Sequence, residues 1–256
     1  MRTVSITPKG QIEISVEAEC ISPESVAPLG LEEIGALEIW QGNRRTALSD
    51  LFLVEGDEEP CRPDELHLLL KGDFSRVKRI AEKMAAGTVE VQGSTGMHAG
   101  NRMSGGVLTI HGDADDWLGR EMRGGRIHVY GSAGNYAGAG YRGERCGMRG
   151  GEIEIEGSAG AFLGEHICGG TIRVKGDAGD FPGVANQGGT IFIGGSTYLP
   201  GAEMTKGSIT VRGSARLLPG YQRIEVVKIE GEEFQRYTGD LVERGSGELF
   251  ILVGSS

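Results

Sequence analysis

One phrase recurs seven times in this chain: Gly-x-(Val/Leu/Ile)-x-(Val/Ile)-x-Gly, starting at Gly87, Gly106, Gly125, Gly151, Gly170, Gly189 and Gly207. The steps between starts are 19, 19, 26, 19, 19 and 18 residues. A fixed period near 20 residues predicts a solenoid, because one repeat cannot bury its apolar side without a neighbour stacked on it. Within a repeat such as Gly151-Glu152-Ile153-Glu154-Ile155-Glu156-Gly157, two isoleucines alternate with three carboxylates. That period of two predicts a half-buried strand with Ile153 and Ile155 on one face. The matching pairs are Val89/Val91, Leu108/Ile110, Ile127/Val129, Ile172/Val174, Ile191/Ile193 and Ile209/Val211. They are expected to stack as two apolar ladders, each buried side chain contributing roughly 1.5–3 kcal/mol.

Each strand is followed by small residues and glycine, as in Gly131-Ser132-Ala133-Gly134 and Gly157-Ser158-Ala159-Gly160. Glycine tolerates positive φ, so these segments suit corners. A second apolar station follows (Trp117-Leu118, Tyr136-Ala137, Phe162-Leu163, Phe181-Pro182), then a glycine. A third precedes a Gly pair, at Met103, Met122, Met148 and Ile167. Three stations separated by corners describe a three-sided coil of about 19 residues. The expected fold is all-β, a right-handed parallel β-helix, its hand taken from the usual chirality of parallel crossovers. Stacking at this period places Arg126 beside Glu152, Glu154 beside Arg173, and Glu156 beside Lys175.

The expected organisation is a small N-terminal α+β block over residues 1–65, the coils over 66–215, and a capping segment over 216–256. Val4–Ile6 and Ile12–Ile14 read as short strands, Pro23–Leu37 as helical, and Leu37–Trp40 and Asp50–Val54 as strands. Leu66–Gly72 reads as a degenerate first coil with Leu68 and Leu70 inward, and Ser75–Ala86 as its return with a short helical turn. Ile224–Ile229 and Glu248–Val253 are strands expected to cover the open end of the stack.

A formal net charge of -10 argues against a nucleic-acid or anionic-membrane partner. There is no 18-residue apolar run and no signal-like N-terminal pattern, so a cytoplasmic location is expected. Cys20, Cys61, Cys146 and Cys168 lie scattered, without Cys-x-x-Cys spacing, and read as reduced thiols rather than cluster or zinc ligands. Gly138-Ala139-Gly140-Tyr141-Arg142-Gly143 matches G-x-G-x-x-G. That fingerprint needs a strand before it and a helix after it. Glu144-Arg145-Cys146-Gly147-Met148 leads instead into the next Gly pair. The segment is the excess of the 26-residue step, and such insertions bulge from one face. Tyr141, Arg142 and Arg145 are residue types favoured at interfaces. His98 and His166, on corners beside glycines, join them as candidate interface residues. No catalytic, cofactor-binding or metal-binding residue is expected, since no acid–base pair, triad or His cluster has workable spacing.

These units carry a resemblance. Gly-x-Ile-x-Val-x-Gly-x-Ala-Gly and Met-x-Gly-Gly resemble the GXGXG β-helix domain. That domain closes the large chain of glutamate synthase and forms most of the C component of formylmethanofuran dehydrogenase. The long coil Tyr141–Gly151 is similar to the extended coil of both. Ile6-Thr-Pro8, Val16-Glu-Ala-Glu19, Trp40-Gln-Gly-Asn43 and Gly72-Asp-Phe-Ser-Arg-Val-Lys-Arg-Ile80 resemble the dehydrogenase C-component family. The resemblance implies a scaffold without chemistry of its own. Its complex would reduce CO2 with reduced ferredoxin and attach the formyl group to methanofuran, as in methanogenesis. The implied partners are an amidohydrolase-like A component, the pterin-bearing B and D components, and polyferredoxin subunits. Molybdenum or tungsten pterin and iron–sulfur clusters are then expected in those partners, none in this chain. The alternative is the C component of a bacterial formyltransferase/hydrolase complex. A stand-alone carbohydrate-active β-helix would need an aromatic groove with paired carboxylates, which the repeat does not provide.

Overall fold

The computed structural model describes residues 1–254; Ser255 and Ser256, at the end of the expected cap, lie outside the described residues. The strands, in chain order, are β1 (Arg2–Pro8), β2 (Val16–Glu17), β3 (Glu38–Gln41), β4 (Arg44–Ala47), β5 (Phe52–Gly56), β6 (Leu66–Lys71), β7 (Val77–Lys78), β8 (Thr88–Gln92), β9 (Ser104–Ile110) and β10 (Gly124–Val129). They continue with β11 (Arg149–Ile155), β12 (Gly169–Val174), β13 (Gln187–Ile193), β14 (Thr197–Tyr198), β15 (Lys206–Val211), β16 (Ala215–Arg216), β17 (Gln222–Ile229), β18 (Glu232–Gly239) and β19 (Gly247–Leu252). Among the described residues, α-helix is confined to short turns, Pro23–Val26, Leu31–Gly35 and Leu48–Leu51. None is long and apolar enough to cross a membrane.

The protein is therefore mostly β, built on one open 13-stranded sheet ordered β17-β18-β19-β15-β13-β12-β11-β10-β9-β8-β6-β1-β5. From β1 and β6 through β15 to β19 the pairing is parallel, and equivalent residues of successive repeats are partners. Ile127 pairs with Ile153, Ile153 with Ile172, and Ile172 with Ile191. All four are fully buried, as are Leu68, Leu70, Met103, Met122, Met148 and Ile167. The apolar alternation thus forms the core the repeat demands.

Two further lines of contact relate one repeat to the next. Parallel bridges run Thr95–Ala114–Ala133–Ala159–Ala178. Beside them, corner side chains cap the backbone of the following repeat. Ser94 Oγ accepts from the Asp113 N–H, Asp113 from Ser132, Ser132 from Ser158, Ser158 from Asp177, and Asp177 from Ser196, at 2.7–3.1 Å. Turn backbone leaves N–H groups without a partner in their own repeat, and leaving them so would cost stability. Ser and Asp at this position supply the acceptors. The second line holds the backbone N–H of Arg102 to Arg120 O, Glu121 to Ala139 O, and His166 to Val184 O.

The expected register is observed. Arg126 sits opposite Glu152 and pairs with it at 2.9 Å, and Lys175 Nζ lies 2.5 Å from Glu156. Glu154 sits opposite Arg173. The Arg173 guanidinium instead lies over the Phe192 ring (4.1 Å) and reaches Glu152 diagonally (3.6 Å), because the aromatic face offers a cation a second favourable contact.

Several expectations are corrected. Ile12–Ile14 forms no strand and Ile14 is exposed; β1 already has β5 on one edge and β6 on the other, leaving it no partner. Ser75–Ala86 holds no helical turn. Arg79, Ala81 and Lys83 there have φ of 66, 56 and 58°, the wrong hand for a helix of L-residues. Within residues 1–65, β1 joins the large sheet. Val4 and Ile6 pair with Leu68 and Leu70 and extend the apolar rows. At the other end β19 adds to β15 as one more parallel strand before β18 and β17 turn back antiparallel. Cys146 and Cys168 are not free thiols but a disulfide, with Cα atoms 5.6 Å apart. The repeat brings two positions 22 residues apart in sequence onto adjoining corners, which linear spacing conceals.

Candidate functional site

The second apolar station does not bury as a pair. Leu118, Ala137 and Leu163 point inward, while the preceding aromatics remain half-exposed. His98, Trp117, Tyr136, Phe162 and Phe181 all have positive φ, between 57 and 67°. Each donates its N–H to the next repeat, for example Trp117 to Asn135 O at 2.8 Å and Phe162 to Asp180 O at 2.8 Å. That backbone costs an L-residue roughly 1–2 kcal/mol. The rings stack in sequence with centroids 6.2, 4.3, 5.0 and 5.7 Å apart. Each such pair is worth about 0.5–1.5 kcal/mol, which offsets part of that backbone cost. The result is an aromatic ridge along one corner.

The insertion rises beside this ridge. Gly140 and Gly147 form its neck, donating to Glu165 O and His166 O at 3.1 and 2.8 Å. A Cβ on Gly147 would lie 2.6 Å from both Glu165 O and Gly140 N, so a larger residue would force the neck apart. Between them Tyr141 is 52% exposed. Its ring leans on Trp117 (5.8 Å) and lies under the Arg120 guanidinium (4.9 Å). Arg120 is held in turn by Asn101 Oδ1 at 2.9 Å and by buried Glu121 at 3.6 Å, and Glu121 accepts from Arg102 Nε at 2.8 Å. No helix follows Gly138–Gly143, only turns and β11, so the fingerprint has no helix N-terminus to offer a pyrophosphate.

Of the sequence-predicted residues, His98 and Tyr141 both contact Trp117. Arg142 and His166 lie in the electrostatic surroundings of Glu165, whose carboxyl burial pushes up, the two basic residues countering only part of that rise. Arg145 marks the far end of the loop, where its carbonyl accepts from Gln187 Nε2 at 2.7 Å. Trp117 and Arg120, the platform beneath Tyr141, fall outside the sequence-predicted set. The signal that could have found Trp117 is the aromatic preceding each Leu-Gly, Ala-Gly or Pro-Gly step.

Burial, reinforced by Arg120 and Arg79, pushes the His98 imidazole down to about 4 from 6.5. Between those values the unfolded chain binds the proton that the folded chain refuses. The His98 contribution to stability is therefore complete above pH 6.5 and declines as pH falls toward 4. An NMR titration of the His98 ring is expected to show its midpoint near 4; a midpoint at the ordinary imidazole value contradicts the buried, cation-flanked placement.

The outer sheet face carries a second polar assembly. Glu90 bridges His67 (3.2 Å) and His111 (3.0 Å), His111 and His128 both stack on Tyr130, and His128 contacts Glu156 at 3.1 Å. His128, Glu154 and Glu156 gather ligand atoms within 4.8 Å, which their linear spacing conceals. Lys175 already places its ammonium on Glu156, so the group reads as part of an ion-pair lattice. A groove of about 530 Å³ lies between Arg173, Phe192 and Arg212 of the sheet and Ile229, Glu230 and Phe234 of the terminal hairpin. Arg212 there is matched by Glu230 and Glu232. On the ridge, Arg102 and Arg120 both pair with Glu121.

No protein-family model matches the chain. Similar proteins include the C component of a molybdenum-containing formylmethanofuran dehydrogenase 1 from Methanosarcina barkeri, 44% identical over 98 residues, 38% of this chain and 32% of that protein. Another is the C component of a tungsten-containing formylmethanofuran dehydrogenase 2 from Methanococcus maripaludis, 41% identical over 100 residues, 39% of this chain and 35% of that protein. The chain thus spans about a third of the length of the curated relatives it matches. Among solved structures, a chain of the formyltransferase/hydrolase complex from Methylorubrum extorquens, determined with methylofuran, superposes with a TM-score of 0.88 at 27% identity, covering 97% of this chain and 99% of that one. Over about 100 residues, then, the chain is similar to the C components of formylmethanofuran dehydrogenases, molybdenum- and tungsten-containing alike.

Proposed function

We propose that this chain is a non-catalytic scaffold in a formylmethanofuran dehydrogenase-type complex, docking its partners through the aromatic ridge and insertion loop. In this reading residues 66–215 wind as a right-handed, three-sided parallel β-helix, residues 1–65 are an N-terminal block, and residues 216–256 a cap. The setting is cytoplasmic. The amidohydrolase-like and pterin subunits, with polyferredoxin subunits, carry the molybdenum or tungsten pterin and the iron–sulfur clusters. The observation that carries the proposal is the full-length likeness to a chain of a multi-subunit formyl-handling complex. Its support in the chain is that the exposed corner is rich in aromatic and arginine side chains suited to a partner.

A second reading, the equivalent component of a formyltransferase/hydrolase complex without CO2 reduction, is favoured by that same likeness. It spans nearly all of this chain, whereas the named dehydrogenase relatives match 39% or less. Purification of the tagged full chain from its host separates the two by mass spectrometry of what copurifies, pterin and iron–sulfur subunits or a formyltransferase. The isolated chain is expected to show no formyl, dehydrogenase or hydrolase turnover; turnover by metal-free chain ends the scaffold reading. Tyr141→Ala with Arg142→Ala is expected to weaken partner binding about 30-fold, the equivalent of one hot spot of about 2 kcal/mol.

A further inference from the structure

We propose that the Cys146–Cys168 disulfide is a redox-operated clasp on the docking loop, opened by a dithiol reductant to loosen the partner. This rests on the docking reading given above. The bond ties the exit of the loop to the corner of the next repeat. Arg142, Gly143, Glu144 and Arg145 are exposed, and even an added Cβ at Gly143 would touch nothing within 4 Å. Besides the disulfide, the Arg145 end is held by the Gln187 hydrogen bond and a 4.0 Å contact between Glu144 and Arg149. The Gly147 N–H, one residue beyond Cys146, is also held by His166 O, so the disulfide is the one covalent link among these restraints.

The core does not depend on it. Met148 and Ile167, the apolar residues nearest the two cysteines in sequence, are fully buried, and the neck hydrogen bonds of Gly140 and Gly147 stand without it. Opening the bond frees the loop and leaves the stack intact. Both cysteines are half-buried rather than enclosed, which leaves a reductant a path. The other two cysteines are unpaired, and burial pushes the Cys20 thiol up to about 12, suppressing its thiolate. So the pair capable of exchange is the one at the docking loop. Disulfides in a reducing compartment are usually catalytic or redox-sensing.

In the exchange, a thiolate of the reductant attacks one protein sulfur, forms a mixed disulfide and releases the other cysteine as thiolate, which takes a proton. The second thiol of the reductant then displaces the remaining cysteine. The protein gains two electrons and two protons, and the dithiol becomes a disulfide.

The test uses the full chain, purified anaerobically, with and without dithiothreitol. Differential alkylation with mass spectrometry is expected to find Cys146 and Cys168 blocked before reduction and labelled after it. Amide exchange over residues 141–146 is expected to accelerate at least about tenfold on reduction, with β11 and β12 unchanged. Affinity for the copurified amidohydrolase-like or pterin subunit is expected to fall about tenfold. Cys146→Ser with Cys168→Ser should reproduce the reduced behaviour in both conditions. Alkylation of both thiols before reduction, or loop exchange that ignores reduction, overturns the clasp. Partner binding lost in Tyr141→Ala but indifferent to reduction also overturns it, while the docking reading stands. Partner binding untouched by Tyr141→Ala sinks the docking reading instead, and the regulatory claim with it.

Discussion

Gly124→Ala is expected to lower stability by about 3 kcal/mol, the upper end of what overpacking costs. A Cβ at this position would stand 2.4 Å from Ser104 O and 3.2 Å from Ser104 C. The obstacle is the backbone of the preceding repeat, which cannot swing aside as a side chain does. Relief requires separating β9 from β10 and weakening their ladder hydrogen bonds. The contrast is Gly143→Ala in the insertion, where φ is +89° but nothing lies within 4 Å. Only backbone strain acts there, at about 1 kcal/mol. Urea and thermal denaturation of the two variants decide the matter. On the usual scale for chains of this size, melting points should fall by roughly 6–12 °C and 2–4 °C. Equal losses at the two sites would falsify the view that close approach of repeats, rather than φ, selects glycine in the pairs.

Ile153→Ala is expected to cost about 4 kcal/mol, a typical loss for a large-to-small core change. Ile153 is fully buried and pairs in register with Ile127 and Ile172. Its Cδ1 also marks the space that Gly119 leaves open, since a Cβ on Gly119 would come within 2.7 Å of it. Side chain and glycine are thus complementary across the interior. The strands on either side are fixed at ladder spacing, so the cavity cannot collapse by moving one of them. Ile224→Ala in the terminal hairpin, where the side chain is 44% exposed, is expected to cost under about 1 kcal/mol. Chemical denaturation of both variants checks the difference. A loss at Ile153 no larger than at Ile224 would mean that the apolar rows do not carry the stability of the stack.

Much of this is legible in the chain because repetition makes local signals redundant. The inward positions of Ile127, Ile153 and Ile172, the register of Arg126 on Glu152, and the buried station of Met103, Met122 and Met148 all follow from period two within a strand and a step near 19. The corners are only half legible. Ser132 and Ser158 read as small corner residues. Their use as acceptors for the next repeat's N–H is a contact between repeats that no single repeat displays. The aromatics of the second station read as apolar residues to be hidden. Positive φ turns them outward instead, and each finds its neighbour's ring. Ser75–Ala86 misleads for the same reason, because the left-handed backbone at Arg79, Ala81 and Lys83 is imposed by the stack and not by local preference.

The sequence by itself determined the repeat, its inward residues and the place where one repeat runs long. Those depend on periodicity, which is a one-dimensional property. Only the tertiary structure decided which residues flank the long repeat: Trp117 and Arg120 beside Tyr141, His98 stacked on Trp117, and Cys168 within bonding reach of Cys146. The physical reason is that residues about 20 apart in the chain are set roughly 4.8 Å apart by the ladder. What lies above or below a side chain is then fixed by the neighbouring repeats rather than by its own.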